Sequence, residues 1–451
     1  MFLLFPLLYI SSFLYFLKGL FIGKPERILW FFLLGMSIYT TALSVSYGYG
    51  LLPVVNVIKY FKEIAAIATL GYLILKHKGP LKFHWIDFWV LGLFLYCLSY
   101  VLLPIGKLSF IEKLTVFKSY GLFGLLYFIG KLLPMQEMDL RKIVLGVIAW
   151  TILAVGVQSL EWAVYQHLQT LTSYTDYNQK VNLLYPSGSY GLTFTFETDL
   201  MVKRFASFFN DPLDFAISLL FALCLLLSWI SFAAESFIRP KHRWLLVAIL
   251  LWGLFLTFSR SSMLGAVIVL YLYAIWTKRK QLLRTLYFGV FLSVVLFLAF
   301  ANLKFKAYVF DTINLRESSS LGHLISWVTG LDAIFQEPLG MGLGSSGLYA
   351  FGDGLGIGGE SQPIFMGVST GVLSMLAYLV IYIGLIVVLV KKWHLLTGYT
   401  KVIAFALLLF KIGAIVPMLT SYFESFLYMS FMTWLLSGYI IHQISRVECE
   451  K

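Results

Sequence analysis

From Trp244 to Thr277 the chain reads WLLVAILLWGLFLTFSRSSMLGAVIVLYLYAIWT, two apolar runs with one charged residue, Arg260, between them. As helices of about 16 residues, each run spans about 24 Å, against a hydrocarbon core of about 30 Å. The stretch reads as a tight membrane hairpin with almost no loop. Its tip, Thr257-Phe258-Ser259-Arg260-Ser261-Ser262, dips slightly below the surface and carries Arg260 to the depth of lipid head groups. Working outward, the same pattern recurs along most of the chain.

The 451 residues are 60% hydrophobic, 18% aromatic and 12% charged. A soluble domain carries about 25% charged residues, so soluble enzymes, secreted disulfide scaffolds and disordered proteins are excluded. Cys97 and Cys224 lie in apolar runs and Cys449 in the tail, which gives no disulfide framework and no zinc spacing. The first positive charge, Lys18, follows the first apolar stretch instead of preceding it, unlike a cleavable signal. The expectation is an all-α polytopic transmembrane bundle, read as one integral membrane domain over 1–451, with about 12–14 spans. Thirteen runs qualify: 2–17, 28–47, 57–75, 86–103, 114–131, 143–163, 212–235, 244–259, 261–277, 285–303, 363–390, 402–420 and 425–442.

Alternate short loops hold Lys18, Lys24 and Arg27; Lys76, Lys78 and Lys82; Lys131, Arg141 and Lys142; Arg239, Lys241 and Arg243; Lys278, Arg279, Lys280 and Arg284; and Lys391, Lys392 and Lys401. With Arg446 and Lys451 of the tail, 21 of the 34 basic residues fall on one face. That face is expected to be cytoplasmic, with the C-terminus inside. The net charge of +12 therefore reflects topology and gives no case for nucleic acid. Two long segments, 164–210 and 304–362, fall on the opposite, outer face; loops of that length tend to be functional or disordered.

Four motifs could carry chemistry. Arg204 precedes Asn210-Asp211-Pro212-Leu213-Asp214, in which Asp211 or Asn210 is an N-cap and Pro212 the first helical residue. Arg204 then sits at the outer interface, either snorkelling or gripping a ligand. Arg260 needs a partner at its depth. That partner is either a structural carboxylate or, the reading favoured here, a lipid phosphate gripped bidentately. The third motif is Pro338-Leu339-Gly340-Met341-Gly342-Leu343-Gly344, where nine of the 20 residues from 340 to 359 are glycine. No Walker lysine follows, so the glycines imply tight turns and close backbone approach to a ligand, or an anion nest, against the alternative of a flexible cap. The fourth is Glu360-Ser361-Gln362, where the outer segment re-enters the membrane. Glu360 can take a proton from a sugar hydroxyl or simply favour a helix start. His323 is a further candidate base, with a satisfied polar side chain as the alternative. Lys59, Lys62, Glu63, Lys118, Lys411 and Glu424 lie within or beside apolar runs. Lys59 and Glu63 are spaced to pair, whereas adjacent Lys62 and Glu63 point apart.

In this order, over about 200–390, the motifs resemble the O-antigen polymerase and O-antigen ligase family of membrane glycosyltransferases. The resemblance implies a GT-C-like fold and glycan transfer from a polyprenyl-diphosphate donor at the outer face of the bacterial inner membrane. No nucleotide, cofactor or metal is implied. By analogy Arg204 and Arg260 hold the donor diphosphate, Glu360 or His323 serves as base, and Arg316, Gln362, Gly342 and Gly344 lie toward the loop and acceptor. Ligases of this family carry a histidine where this chain has Glu360, so the resemblance points to a polymerase of lipid-linked repeat units. Expected partners are the lipid-linked oligosaccharide, membrane lipid and a chain-length regulator protein. A ligase acting on lipid A-core is the alternative, and a lipid-linked oligosaccharide flippase is the rival from another class. Against the flippase, the sequence has no internal repeat and no matching pair of broken helices.

Overall fold

The computed structural model describes residues 2–79, 82–134, 139–182, 184–233, 240–314, 316–347 and 357–449. Helix is the predominant structure, with no strand among the described residues apart from one isolated antiparallel bridge, Glu197 to Lys203. In chain order the helices are α1 (Leu4–Phe21), α2 (Ile28–Gly48), α3 (Leu52–Ile58), α4 (Phe61–Lys76), α5 (Trp85–Leu102), α6 (Phe110–Leu132) and α7 (Leu140–Val164). After two short cap helices, α8 (Leu168–Leu171) and α9 (Tyr174–Val181), come α10 (Pro212–Phe232), α11 (Pro240–Leu256), α12 (Arg260–Trp276) and α13 (Lys280–Phe300). The second long segment forms α14 (Leu303–Ile313) and α15 (Ser318–Gln336). The chain closes with α16 (Gln362–Thr370), α17 (Val372–Lys392), α18 (Gly398–Gly413), α19 (Ile415–Leu419) and α20 (Leu427–Cys449). Among the described residues, seven helices are long and apolar enough to cross a membrane; α11 and α12 are shorter apolar helices.

Of the seven long apolar helices α10 is the most buried, and its start is fixed locally. Asp211 Oδ1 accepts from the Leu213 and Asp214 amides at 2.8 and 2.9 Å, and Asn210 Nδ2 donates to Asp211 Oδ2 at 2.8 Å. Of the two candidate caps, Asp211 is the one used. The helix packs on α7, α11, α12, α18 and α20, with Ser228 Oγ donating to the Val402 carbonyl at 2.6 Å. α6 and α20 cross closely because neither Gly130 nor Gly438 has a side chain; a methyl on either would collide with the other helix's backbone. No side chain of α13 is buried, which suits an apolar helix on the lipid-facing rim.

The two ends of the bundle differ. At one, Lys131 pairs with buried Asp87, Lys392 lies 2.6 Å from Glu448, and Lys401 and Arg279 stack over Trp393 and Trp244. This is the basic end. The opposite end carries the segments 164–210 and 304–362 as helical caps, so they are ordered where described. Of the positive-face residues, Arg239 and Lys451 lie outside the described residues, as does the glycine-rich stretch 348–356.

Three expected spans and one expected ion pair need correction. The run 57–75 is two helices, α3 and α4, broken at Lys59-Tyr60. At that break Glu63 lies 3.2 Å from Lys62 and 3.6 Å from Lys118, in place of the expected Lys59 pairing. Lys62 stands in the first turn of α4, where its flexible stem bends back to an adjacent carboxylate. Lys59 instead donates to Asn56 Oδ1 at 3.2 Å. The run 363–390 is likewise two helices, because Gly371 adopts φ +87° and ends α16. The run 402–420 divides at Ala414 into α18 and α19.

Candidate active site

The tip of the α11–α12 hairpin organises the cap end. α11 stops at Leu256 and Phe258 takes the left-handed conformation, φ +48°, at a position usually filled by glycine. A helix end leaves carbonyls without intrahelical partners and carries partial negative charge. The first long segment supplies what this end lacks: the Phe205 amide donates to the Leu256 carbonyl at 3.3 Å and Arg204 Nε to the Thr257 carbonyl at 2.8 Å. Arg204 is thus a cation at a helix C-terminus, where it is electrostatically at home.

Arg260 has the opposite problem. It is the first residue of α12, at the positive end of a helix dipole. Glu317 offsets this, with Oε2 at 3.0 Å from Arg260 Nη1. The carboxylate alternative for Arg260's partner is therefore realised, although the arginine side chain remains 42% exposed beyond that contact. Glu317 is the N-cap of α15 and also accepts from the Ser319 and Ser320 amides and from Ser320 Oγ. Burial alone would raise its pKa, but hydrogen bonds from Asp199, Arg260 and Ser320 hold it down at about 2. Asp199, from the first long segment, is correspondingly raised, first by its hydrogen bond to Glu317 and then by burial. It accepts from Ser318 Oγ at 2.8 Å. Hairpin tip and both caps meet at this carboxyl pair.

Glu317 also leads to the second half of the site. Six residues along α15, about 9 Å at 1.5 Å per residue, His323 Nδ1 lies 2.7 Å from Glu360 Oε2. The structure thus brings the two candidate bases together, both partly exposed, at 29% and 51%. α15 is anchored by Trp327 Nε1, which donates to the Leu419 carbonyl at 2.8 Å, and by Ile334 against Ile364 and Val368.

Other expected residues are placed differently. Arg316 is exposed, its amide bonded to the Asp311 carbonyl at 2.7 Å. Gln362 is fully buried and Oε1 accepts from the Glu424 amide at 3.0 Å, so it holds the fold. The Met341 and Gly342 amides donate to the Val368 and Ser369 carbonyls at 2.8 and 2.9 Å, and the Gly344 amide to Tyr120 Oη at 3.3 Å. The expected close backbone approach is real, but its partner is the chain itself. Gly342, at φ +103°, has Gly106 directly against it.

Residues that sequence reasoning missed hold Arg204 in place. Buried Glu161 accepts from the Leu168 amide at 2.6 Å and the Ser207 amide at 2.7 Å. Gln158 and Gln169 donate to the Phe205 and Ser207 carbonyls, both at 2.9 Å, and Thr41 to the Phe208 carbonyl at 2.8 Å. His167 is ringed by Phe196, Phe205 and Tyr190. Burial, then the nearby Lys203 charge, lowers its pKa to about 4. Among the described residues no cluster of histidine, cysteine and carboxylate side chains could hold a metal ion.

One guanidinium on the hairpin turn, a second bonded to that turn, and a histidine–carboxylate pair six residues along α15 from Glu317 are groups suited to anion handling and proton transfer. Residues 245–363 match the family model of O-antigen ligase. The match supports assignment of the chain to the O-antigen ligase and polymerase family, whose members are membrane glycosyltransferase-like enzymes. It takes in Arg260, Arg316, His323, Gly342, Gly344, Glu360 and Gln362, while Arg204 lies outside it. No curated protein matches the chain.

Proposed function

We propose that the protein is a polysaccharide polymerase that joins polyprenyl-diphosphate-linked repeat units at the outer face of the bacterial inner membrane, independently of nucleotide sugars. The observation that carries this reading is the run of contacts along α15. Glu317 at its start holds Arg260, and His323 about 9 Å further on faces Glu360. Arg204, bonded to the same hairpin turn, completes the cationic side. A donor diphosphate between Arg204 and Arg260 is stabilised as its bond to the anomeric carbon breaks and it leaves with the electron pair. The acceptor hydroxyl attacks that carbon, and its proton passes to the Glu360–His323 pair. The chain's basic end then faces the cytoplasm.

One observation favours a second reading. Family ligases carry a histidine at the Glu360 position, and His323 reaches the same place from α15. Transfer to lipid A-core is therefore the alternative. Complementation of cells lacking their own polymerase separates these readings. Wild type restores long-chain polysaccharide, and Arg204→Ala or Arg260→Ala leaves single lipid-linked repeats on the outer leaflet. Repeats held on the cytoplasmic leaflet would favour a flippase. Glycan appearing on lipid A-core without prior polymerisation would favour the ligase.

A further inference from the structure

A polymerase, on the reading above, must hold two polyprenyl diphosphates at once, one on the donor chain and one on the acceptor unit. The hairpin arginines provide for one. A second group of lysines lies in a cavity of about 530 Å³ whose lining holds Lys59, Lys62 and Lys118 together with Asp211, Asp214 and Glu424, but neither Arg204 nor Arg260.

One wall of this cavity is a lysine cluster at the α3–α4 break and on α6. Lys62 is only 4% exposed; its Nζ lies 2.7 Å from Tyr39 Oη and 3.0 Å from the Lys59 carbonyl. Glu63 is the carboxylate that Lys62 and Lys118 share, at 3.2 and 3.6 Å. Lys59 lines the same cavity bonded to Asn56 and not to Glu63, so three ammonium groups have one carboxylate shared between two of them, which is costly inside an apolar bundle without further negative charge. The same lining holds three carboxylates, Asp211, Asp214 and Glu424, which differ in how well they are satisfied. Asp211 is taken up capping α10, and Glu424 accepts from Tyr378 at 2.7 Å and Trp434 at 2.8 Å. Asp214 is 4% exposed, and its Oδ1 is buried with no hydrogen-bond partner. A buried carboxylate oxygen in a polar cavity calls for a donor.

We infer that this cavity is a second substrate site, which binds the diphosphate of a lipid-linked sugar on Lys59, Lys62 and Lys118 and a sugar hydroxyl on Asp214. Such a head group brings phosphate oxygens for the lysines and hydroxyl donors for Asp214. Its size lies within the range of small-ligand pockets, about 300–1,000 Å³.

The test is calorimetric titration of farnesyl diphosphate into the full chain in phosphatidylcholine nanodiscs. Wild type takes up two equivalents. The Arg204→Ala/Arg260→Ala variant takes up one, and so does the Lys59→Gln/Lys62→Gln/Lys118→Gln variant. Lys118→Gln alone, at a partly exposed side chain, weakens the second equivalent at least tenfold and guards against misfolding of the triple variant. A single equivalent in wild type, or two retained in both lysine variants, overturns the inference. So does loss of the second equivalent to phosphatidylglycerol nanodiscs at matching affinity, which would make this a phospholipid site. Arginine variants that polymerise normally would instead defeat the proposed function, whatever the lysine variants bind.

Discussion

Arg260 Nη1 sits 3.0 Å from Glu317 Oε2, so the first residue of one helix is neutralised by the N-cap of another. Without Glu317, Arg260 would lose the carboxylate that offsets the positive end of its own helix dipole. Glu317→Ala should therefore lower transfer about tenfold. A hydrogen bond to a charged group contributes about 1.5–3 kcal/mol, the lower end being apt for a part-exposed arginine, and 1.36 kcal/mol is a tenfold change in rate. Because Glu317 positions Arg260 and does not touch substrate, Glu317→Gln, which keeps an acceptor, should recover part of kcat with KM little changed. Equal activity in wild type and Glu317→Ala would show that Arg260 needs no such support.

The pairing of His323 with Glu360 predicts shared proton handling. Glu360→Gln and His323→Asn should each reduce kcat by about 10²–10⁴, the usual contribution of general acid–base catalysis. The double variant should fall little below the worse single one, since groups acting as a unit are not additive. Rates of repeat-unit joining check this, and multiplicative losses would argue for two independent roles.

His167 gives a pH dependence with a definite sign. Its folded pKa, about 4, lies below its ordinary value of 6.5, so between these limits the unfolded chain binds more protons. Stability therefore rises with pH from about 4 to 6.5 and falls as the medium is acidified through that window. Melting temperatures from pH 4 to 7 should show this slope in wild type and a flatter profile in His167→Gln. Parallel profiles would remove His167 as its source.

Glu161 satisfies two backbone amides on either side of the first cap, at Leu168 and Ser207. Glu161→Ala leaves both buried donors without their acceptor, at about 1–3 kcal/mol each when unsatisfied. We expect a lower melting temperature and, as the Arg204 segment loosens, a loss of transfer beyond that of a distant variant with the same melting temperature.

Gly342→Ala separates the packing role of the glycine motif from a ligand role. An added Cβ would lie 2.6 Å from Gly106 Cα at φ +103°, a strained arrangement costing about 1–3 kcal/mol. Gly322→Ala on α15, with nothing within 4 Å, is the matched control and should be tolerated or stabilising. If Gly342→Ala melts like wild type but loses activity, the glycine serves a ligand after all.

The sequence was most legible where the signal is local. The helix start at Pro212, capped by Asp211, follows from adjacent residue types, as does the short hairpin around Arg260. The breaks at Gly371 and Ala414 escaped hydropathy because apolar residues continue through them, and the one at Lys59-Tyr60 because the apolar run resumes after Glu63. The partners of the arginines escaped for another reason. Glu317 is 57 residues from Arg260 and Thr257 is 53 from Arg204, and no periodicity links a loop to a turn at such separations. Glu161 looked like the polar end of a span, and only the folded cap shows the amides it serves. The glycines were read as allowing close backbone approach to a ligand; what approaches Gly342 is the backbone of its own chain at Gly106.

The central claim is that Arg204 and Arg260 stabilise a departing lipid diphosphate. Its most direct test is ladder formation by the purified protein in nanodiscs supplied with defined polyprenyl-diphosphate-linked repeat units and no nucleotide. The account predicts a ladder of joined repeats with wild type and, with folded Arg204→Ala/Arg260→Ala protein, unjoined repeats only. A wild-type ladder formed at the same rate by the double variant would contradict it.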